Sequence, residues 1–227
     1  MSPPALRLDP AGVLRLGADL RHAEVVLLGM HGYGGDQHEL SGAADALPPD
    51  VALLLPRGPL TTPEGAAAWF PAGEPGSPTL AEADAAVVAV DVWLRGLGAL
   101  PPVVPFGFSQ GGAVALHLLR THPDQFPAAG SLAGFTVDAV LPGDADVSRR
   151  SPPTVAVWDP DDDVVVPRAV ARTHAWLVSH TRARCEPRAG MGHRVRADVL
   201  AGLCAGLVGA VAGVAVAGAE AGEVAHG

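Results

Sequence analysis

The feature that most limits what this chain can fold into is an alternation of two kinds of segment. Short unbroken apolar runs at Val25–Met30, Val51–Leu55, Val103–Phe108, Ala129–Ala133 and Thr154–Trp158 are separated by longer amphipathic stretches. Runs of that length with no polar alternation suit strands buried on both faces, as parallel sheets require. The stretches Glu82–Leu97, Gln110–Thr121, Pro167–His180 and Arg196–Val208 have the length and spacing of helices. Pro167 fits a first helical turn, where its missing N–H has no partner to lose. Arg182–Arg188 alternates charge with Ala, Cys and Pro and reads as an edge strand. The pattern predicts an α/β fold with a mostly parallel central sheet and helices on both faces.

No repeat or linker divides the 227 residues, so one domain is expected over 1–227, a length at which a single core buries most of the chain. Residues 1–22 are read as N-terminal edge strands and 210–227 as a loose Ala/Gly-rich tail. Two proline-rich or charged excursions, Arg57–Thr79 and Val137–Pro153, are read as surface loops; structureless loops this long are commonly functional.

Charge narrows the partners. All 15 basic residues are Arg against 24 acidic ones, and a net charge of −9 argues against nucleic acid and against anionic membrane surfaces. Lys, Ile and Asn are absent, which fits a GC-rich bacterial gene and says nothing about chemistry. Cys185 and Cys204 are too few for a disulfide framework and are expected as free thiols. The first 16 residues hold no continuous apolar run, so no secretory signal is read and a cytoplasmic location is expected. Val199–Ala219 carries no charge, but it is mostly Ala, Gly and Val and suits a terminal helix better than a membrane span.

The chemistry concentrates at Gly107-Phe108-Ser109-Gln110-Gly111, a G-x-S-x-G sequence set between a strand and a helix. There a sharp turn exposes the Ser oxygen at a helix N-terminus, and Gly on either side avoids collisions between backbone segments. A nucleophilic Ser needs a base, and the base needs a carboxylate. Both follow in order: an acidic cluster, Asp159 to Asp163, directly after the strand ending at Trp158, then His193 in Gly190-Met191-Gly192-His193. Any of Asp161, Asp162 and Asp163 is placed to serve. The oxyanion amides are expected from Gln110 and from the loop His31-Gly32-Tyr33-Gly34-Gly35-Asp36, with Tyr33 the donor. The D-x-D-x-D spacing from Asp159 lacks the Gly and Glu of a calcium loop, so no metal is expected. His117, His122, His174, His180 and His226 are read as packed or solvated. The arginines at 182, 184, 188, 194 and 196 are either an exposed edge or an attraction for anionic substrate ends.

Six motifs in one order, His31–Asp36, Pro56-Arg57-Gly58-Pro59, Trp69-Phe70, Gly107–Gly112, Asp163–Pro167 and Gly190–His193, resemble the phospholipase/carboxylesterase family, the acyl-protein-thioesterase-like branch of the α/β-hydrolases. The resemblance implies a cofactor-free serine hydrolase without a large cap domain, acting on small-molecule carboxylic esters; thioesters and lysophospholipids are further family substrates. It places the nucleophile on Ser109, the base on His193 and the acid on Asp163, four residues before Pro167. It puts Trp69 beside the acyl site, and Phe70, Phe108 and Met191 are taken with it as substrate-binding residues. Where the family has His-Gly ahead of the acid loop, this chain has Asp159-Pro160. The rival reading is a non-catalytic binding protein on the same fold.

Overall fold

The computed structural model describes residues 5–224, with side chains up to residue 213. The ends of the expected domain and His226 lie outside the described residues. Seven strands form one sheet in the order β1-β3-β2-β6-β7-β8-β9. Strand β1 (Val13–Gly17) pairs antiparallel with β3 (Val51–Pro56). All other pairings are parallel, through β2 (Val25–Met30), β6 (Val103–Phe108), β7 (Ala129–Leu132), β8 (Pro153–Trp158) and β9 (Arg182–Pro187). A two-stranded ribbon, β4 (Leu60–Thr61) with β5 (Ala67–Ala68), rises from the first proline-rich excursion.

The unbroken apolarity of the central strands has the cause inferred from it. Along β2, Val26, Leu28 and Met30 face one hydrophobic cluster while Leu27 faces another. The first cluster is closed by helices α1 (Leu80–Gly96), α2 (Gln110–Thr121) and α4 (Pro167–His180), with Val147 of the short α3 (Asp144–Arg150) beside them. The second is closed by α5 (Ala197–Val224) through Leu200, Leu203, Cys204, Leu207 and Val211, together with Leu40 and Ala43. Thr79 and Glu82 cap α1 reciprocally: the Glu82 amide donates to the Thr79 hydroxyl, and Glu82 Oε2 accepts from the Thr79 amide at 2.8 Å.

Three expectations need correction. Among the described residues, the N-terminal segment supplies one edge strand, β1, rather than several. The second excursion contains α3, anchored by the buried pair of Arg120 and Asp144. Residues 210–224 are not a loose tail but the continuation of α5. Its sequence contains no proline, and Leu207 and Val211 are still packed on the sheet, so nothing ends the helix near 208. No helix among the described residues is long and apolar enough to cross a membrane.

Candidate active site

The site forms at the carboxyl edge of the sheet, where the loops after β2, β6, β8 and β9 converge. Ser109 occupies the turn between β6 and α2 with φ 51° and ψ −114°, a conformation L-residues rarely adopt and which costs about 1–3 kcal/mol. Its amide donates to the Leu132 carbonyl at 2.8 Å, and its carbonyl accepts from Ala113 at 3.0 Å. The elbow closes this tightly because of its glycines. A Cβ on Gly107 would lie 2.3 Å from the Gly111 carbonyl carbon, and one on Gly111 only 2.0 Å from the Met30 oxygen.

His193 reaches the elbow from the loop after β9. Its Nε2 lies 2.8 Å from Ser109 Oγ and its Nδ1 2.7 Å from Asp162 Oδ2. A carboxylate only accepts, so Nδ1 carries the proton and Nε2 is left to accept from the serine hydroxyl. The Asp162 side chain is 3% exposed, and its other oxygen accepts from the Val164 and Val165 amides at 2.8 and 3.0 Å.

Asp162, not the expected Asp163, therefore faces the base. Turning back on the Val164 and Val165 amides aims Asp162 inward and leaves both Asp161 and Asp163 exposed. Asp159, at the position where the family has His, is buried and plays a part no sequence signal announced. One of its oxygens accepts from the Asp161 amide at 2.9 Å and the other from the Gly192 amide at 2.6 Å, tying the acid turn to the His193 loop. The amides of Asp161 and Gly192 hold its carboxyl below the usual carboxylate range.

In the loop after β2, the Gly32 N–H donates to Glu39 Oε2 at 2.6 Å, Gly34 to the Ala67 carbonyl at 2.9 Å and Gly35 to the Gly32 carbonyl at 3.1 Å. Among the described residues Tyr33 N–H has no such partner, and neither does Gln110 N–H at the first position of α2. These are the two amides expected from the sequence.

Buried polar contacts hold that loop. His31 Nε2 accepts from the Gly58 amide at 2.9 Å, so its Nδ1 carries the proton and donates to the Gly32 carbonyl at 2.7 Å. Burial pushes the His31 pKa down, keeping it neutral. Gln110 serves the site twice over. Besides its amide, its side chain accepts from the Trp69 N–H at 2.7 Å and donates to the Phe70 carbonyl at 2.8 Å.

A cavity of about 360 Å³ opens beside Ser109. Phe70 and Phe108 line it as expected, and Phe108 lies 4.9 Å from the His193 ring. Tyr33 stands at its wall, 43% exposed. Trp69 and Met191 do not line it. Trp69 is fully buried, its Nε1 donating to the His31 carbonyl at 2.9 Å, and Met191 packs into the α5-side core. In their place the cavity uses Phe135, Val164 and the segment Pro71–Pro78, none of which was expected as a substrate contact, although 71–78 lies in the long loop read from the sequence and Val164 in the Asp163–Pro167 motif.

The arginine-rich edge stays apart from the cavity. Arg184 and Arg188 pair with Glu186, and Arg196 with Asp198. His117 is packed against Asp84, His174 lies beside Trp158 and His180 stacks on Trp176. Both cysteines are free; burial raises both thiols, Cys204 to about 12. Among the described residues no three His, Cys, Asp or Glu side chains are grouped to hold a metal ion.

A mostly parallel sheet with this elbow, and with acid and histidine arriving in that order from later strands, defines an α/β-hydrolase. Within that class the chain belongs to the phospholipase/carboxylesterase family, whose sequence model matches residues 17–203. No curated protein sequence matches it. Among solved structures it is similar to esterase PE8, at 24% identity over 88% of this chain and 96% of that one, with a TM-score of 0.69. It is similar also to a carboxylesterase from Mesorhizobium loti, at 20% identity over 81% and 90% of the two chains and a TM-score of 0.68. Acyl-protein thioesterase 2 of Zea mays matches at 19% identity over 87% and 98%, with a TM-score of 0.67. At these identities the structural likeness speaks for the fold.

Proposed function

We propose that the protein is a serine carboxylesterase cleaving small to medium acyl esters through Ser109, His193 and Asp162. The observation that carries the reading is the continuous hydrogen-bonded chain from Asp162 through His193 to Ser109, at 2.7 and 2.8 Å. His193 Nε2 takes the Ser109 proton as the oxygen attacks the ester carbonyl carbon. The electron pair of the C=O bond moves onto oxygen, which the Tyr33 and Gln110 amides receive. Collapse of this intermediate expels the alcohol, protonated by His193, and leaves an acyl-Ser109. Water, deprotonated by His193, attacks the acyl carbon in turn; the carboxylic acid leaves and Ser109 regains its proton. Asp162 holds the Nδ1–H tautomer and stabilises the imidazolium that forms twice in each cycle.

The cavity supports the substrate class. Its 360 Å³ falls at the small end of ligand pockets, roughly 300–1,000 Å³, and its walls include Phe70, Phe108, Phe135 and three prolines. A second reading, an acyl thioesterase or lysophospholipase for longer chains, draws on the apolar side chains Phe70, Pro71, Pro75 and Phe135 in the cavity lining. The enzyme is read as a single domain working without a cofactor, and its two free thiols favour the cytoplasm.

Ser109→Ala is the test, with turnover of p-nitrophenyl butyrate and labelling by a fluorophosphonate probe as readouts. The wild-type protein hydrolyses the ester and is labelled; the variant does neither. Undiminished turnover in the variant, or no labelling of the wild type, refutes the proposal, and the second result favours a binding protein on a hydrolase fold.

A further inference from the structure

Much of the cavity lining has no regular structure of its own. Residues 71–78 are a proline- and glycine-rich loop, and Phe135 sits in another loop after β7. Both are fixed to the same helix, α4. The guanidinium of Arg172 donates through one nitrogen to the Gly76 carbonyl and to the Thr136 carbonyl, both at 2.7 Å, and through Nε to Thr136 again at 3.1 Å. One side chain thus bridges the two loops that form the wall. Other contacts follow the same line. The Thr173 hydroxyl accepts from the Thr136 amide at 2.8 Å, the Val166 amide donates to the Pro75 carbonyl at 3.4 Å, and Arg168 pairs with Glu74. Gly76, at φ +92°, lies so close to α4 that a Cβ there would be 2.5 Å from Ala169 Cβ.

We infer that Arg172 is the positioning residue that sets how well the pocket grips the far end of an acyl chain, by clamping loop 71–78 and the Phe135 segment into one wall. Arg172 lies outside the cavity lining and acts through the two carbonyls it holds. The substrate rests on the ester-hydrolase reading, whereas the clamp rests on the hydrogen bonds of Arg172 alone. A short acyl group sits at Ser109 and does not reach the wall, whereas the methylenes of a longer one pack against it. Losing the contact of about two methylenes weakens capture of the longer chain roughly tenfold. The effect belongs in KM, because the clamp touches none of the reacting atoms.

The test compares wild type, Arg172→Ala and Arg168→Gln in two measurements. The first is kcat and KM on p-nitrophenyl acetate and octanoate. The second is amide hydrogen exchange of residues 70–79, which needs no turnover. For Arg172→Ala the octanoate-to-acetate ratio of kcat/KM falls about tenfold, mainly through KM, and exchange in 70–79 quickens while the sheet strands keep wild-type protection. Arg168→Gln, which removes only an exposed ion pair, shifts both readouts far less and shows whether loss of any α4 tether suffices. An Arg172→Ala protein with wild-type exchange at 70–79, or with a wild-type octanoate-to-acetate ratio, overturns the inference. A wild-type protein that hydrolyses neither ester defeats the ester-hydrolase reading instead, and exchange then judges the clamp alone. Should Arg172→Ala fail to fold, Arg172→Met, which keeps the apolar stem but has no donor for either carbonyl, takes its place with the same two criteria.

Discussion

Four of the five residues from 159 to 163 are carboxylates, and which of them serves the histidine can be decided with two conservative substitutions. Asp162→Asn keeps Oδ1 as acceptor for the Val164 and Val165 amides, so the turn survives. What changes is the atom 2.7 Å from His193 Nδ1, where a carboxylate oxygen becomes an NH₂ donor. Two donors cannot share that contact, so the imidazole shifts its proton to Nε2 and no longer accepts from Ser109. The corresponding change in a serine protease lowers kcat by about 10⁴, close to 5 kcal/mol of barrier, and the same order is expected here because Asp162 is just as secluded. Asp163→Asn alters an exposed side chain outside the hydrogen-bonded chain and leaves turnover within about twofold. The assay is steady-state hydrolysis of p-nitrophenyl butyrate, with thermal unfolding to verify that both variants are folded. A large loss in Asp163→Asn alongside near-normal turnover in Asp162→Asn would refute the assignment.

Two further outcomes test the elbow and the buried histidines. Gly111→Ala forces a methyl group to within 2.0 Å of the Met30 carbonyl oxygen, a backbone atom that cannot swing aside, and destabilises the fold by at least about 1–3 kcal/mol, read as a lowered unfolding midpoint in urea. Burial lowers the pKa of both His31 and His117 from 6.5, so the unfolded chain takes up these protons before the folded one does. Stability is therefore full above about pH 7 and declines as pH falls below 6.5 toward the depressed folded values. His117→Gln should flatten the midpoint-versus-pH slope between pH 7 and 5, and an unchanged slope would contradict this.

What the sequence disclosed and what it withheld divide along physical lines. The strands of the sheet core, α2 and α4 were legible because burial on two faces or on one stripe writes a periodic pattern into the residues themselves. Ser109 and His193 were legible because a strained turn demands Gly107 and Gly111, and because acid and base must arrive from later strands in one order. Tyr33 was expected as a donor from its glycine-rich loop, and among the described residues its amide lacks an acceptor while those of Gly32, Gly34 and Gly35 have one. The acid was not legible: four carboxylates in five residues carry the same local signal, and a single turn of backbone decides which one points inward. The cavity walls were still less so. Trp69 and Met191 adjoin catalytic motifs in sequence yet face the core, whereas Phe135 and 71–78 reach the cavity only because α4 draws them there. That information lies in a helix whose Arg172 is 96 residues from Gly76 in the first wall segment.

The loops that carry Ser109, His193 and Asp162 leave their strands at the carboxyl ends, and among the described residues none on the opposite rim of the sheet lines the cavity beside Ser109. The last few residues ahead of β2, β3, β6 and β8, none of which lines that cavity, therefore offer places to attach the protein to a surface, or to insert a reporter peptide, without blocking access to Ser109. The turn at Gly98–Pro102 ahead of β6 is a natural choice, with Gly98, Ala99 and Pro102 exposed and the whole turn at the opposite end of the strand from Ser109.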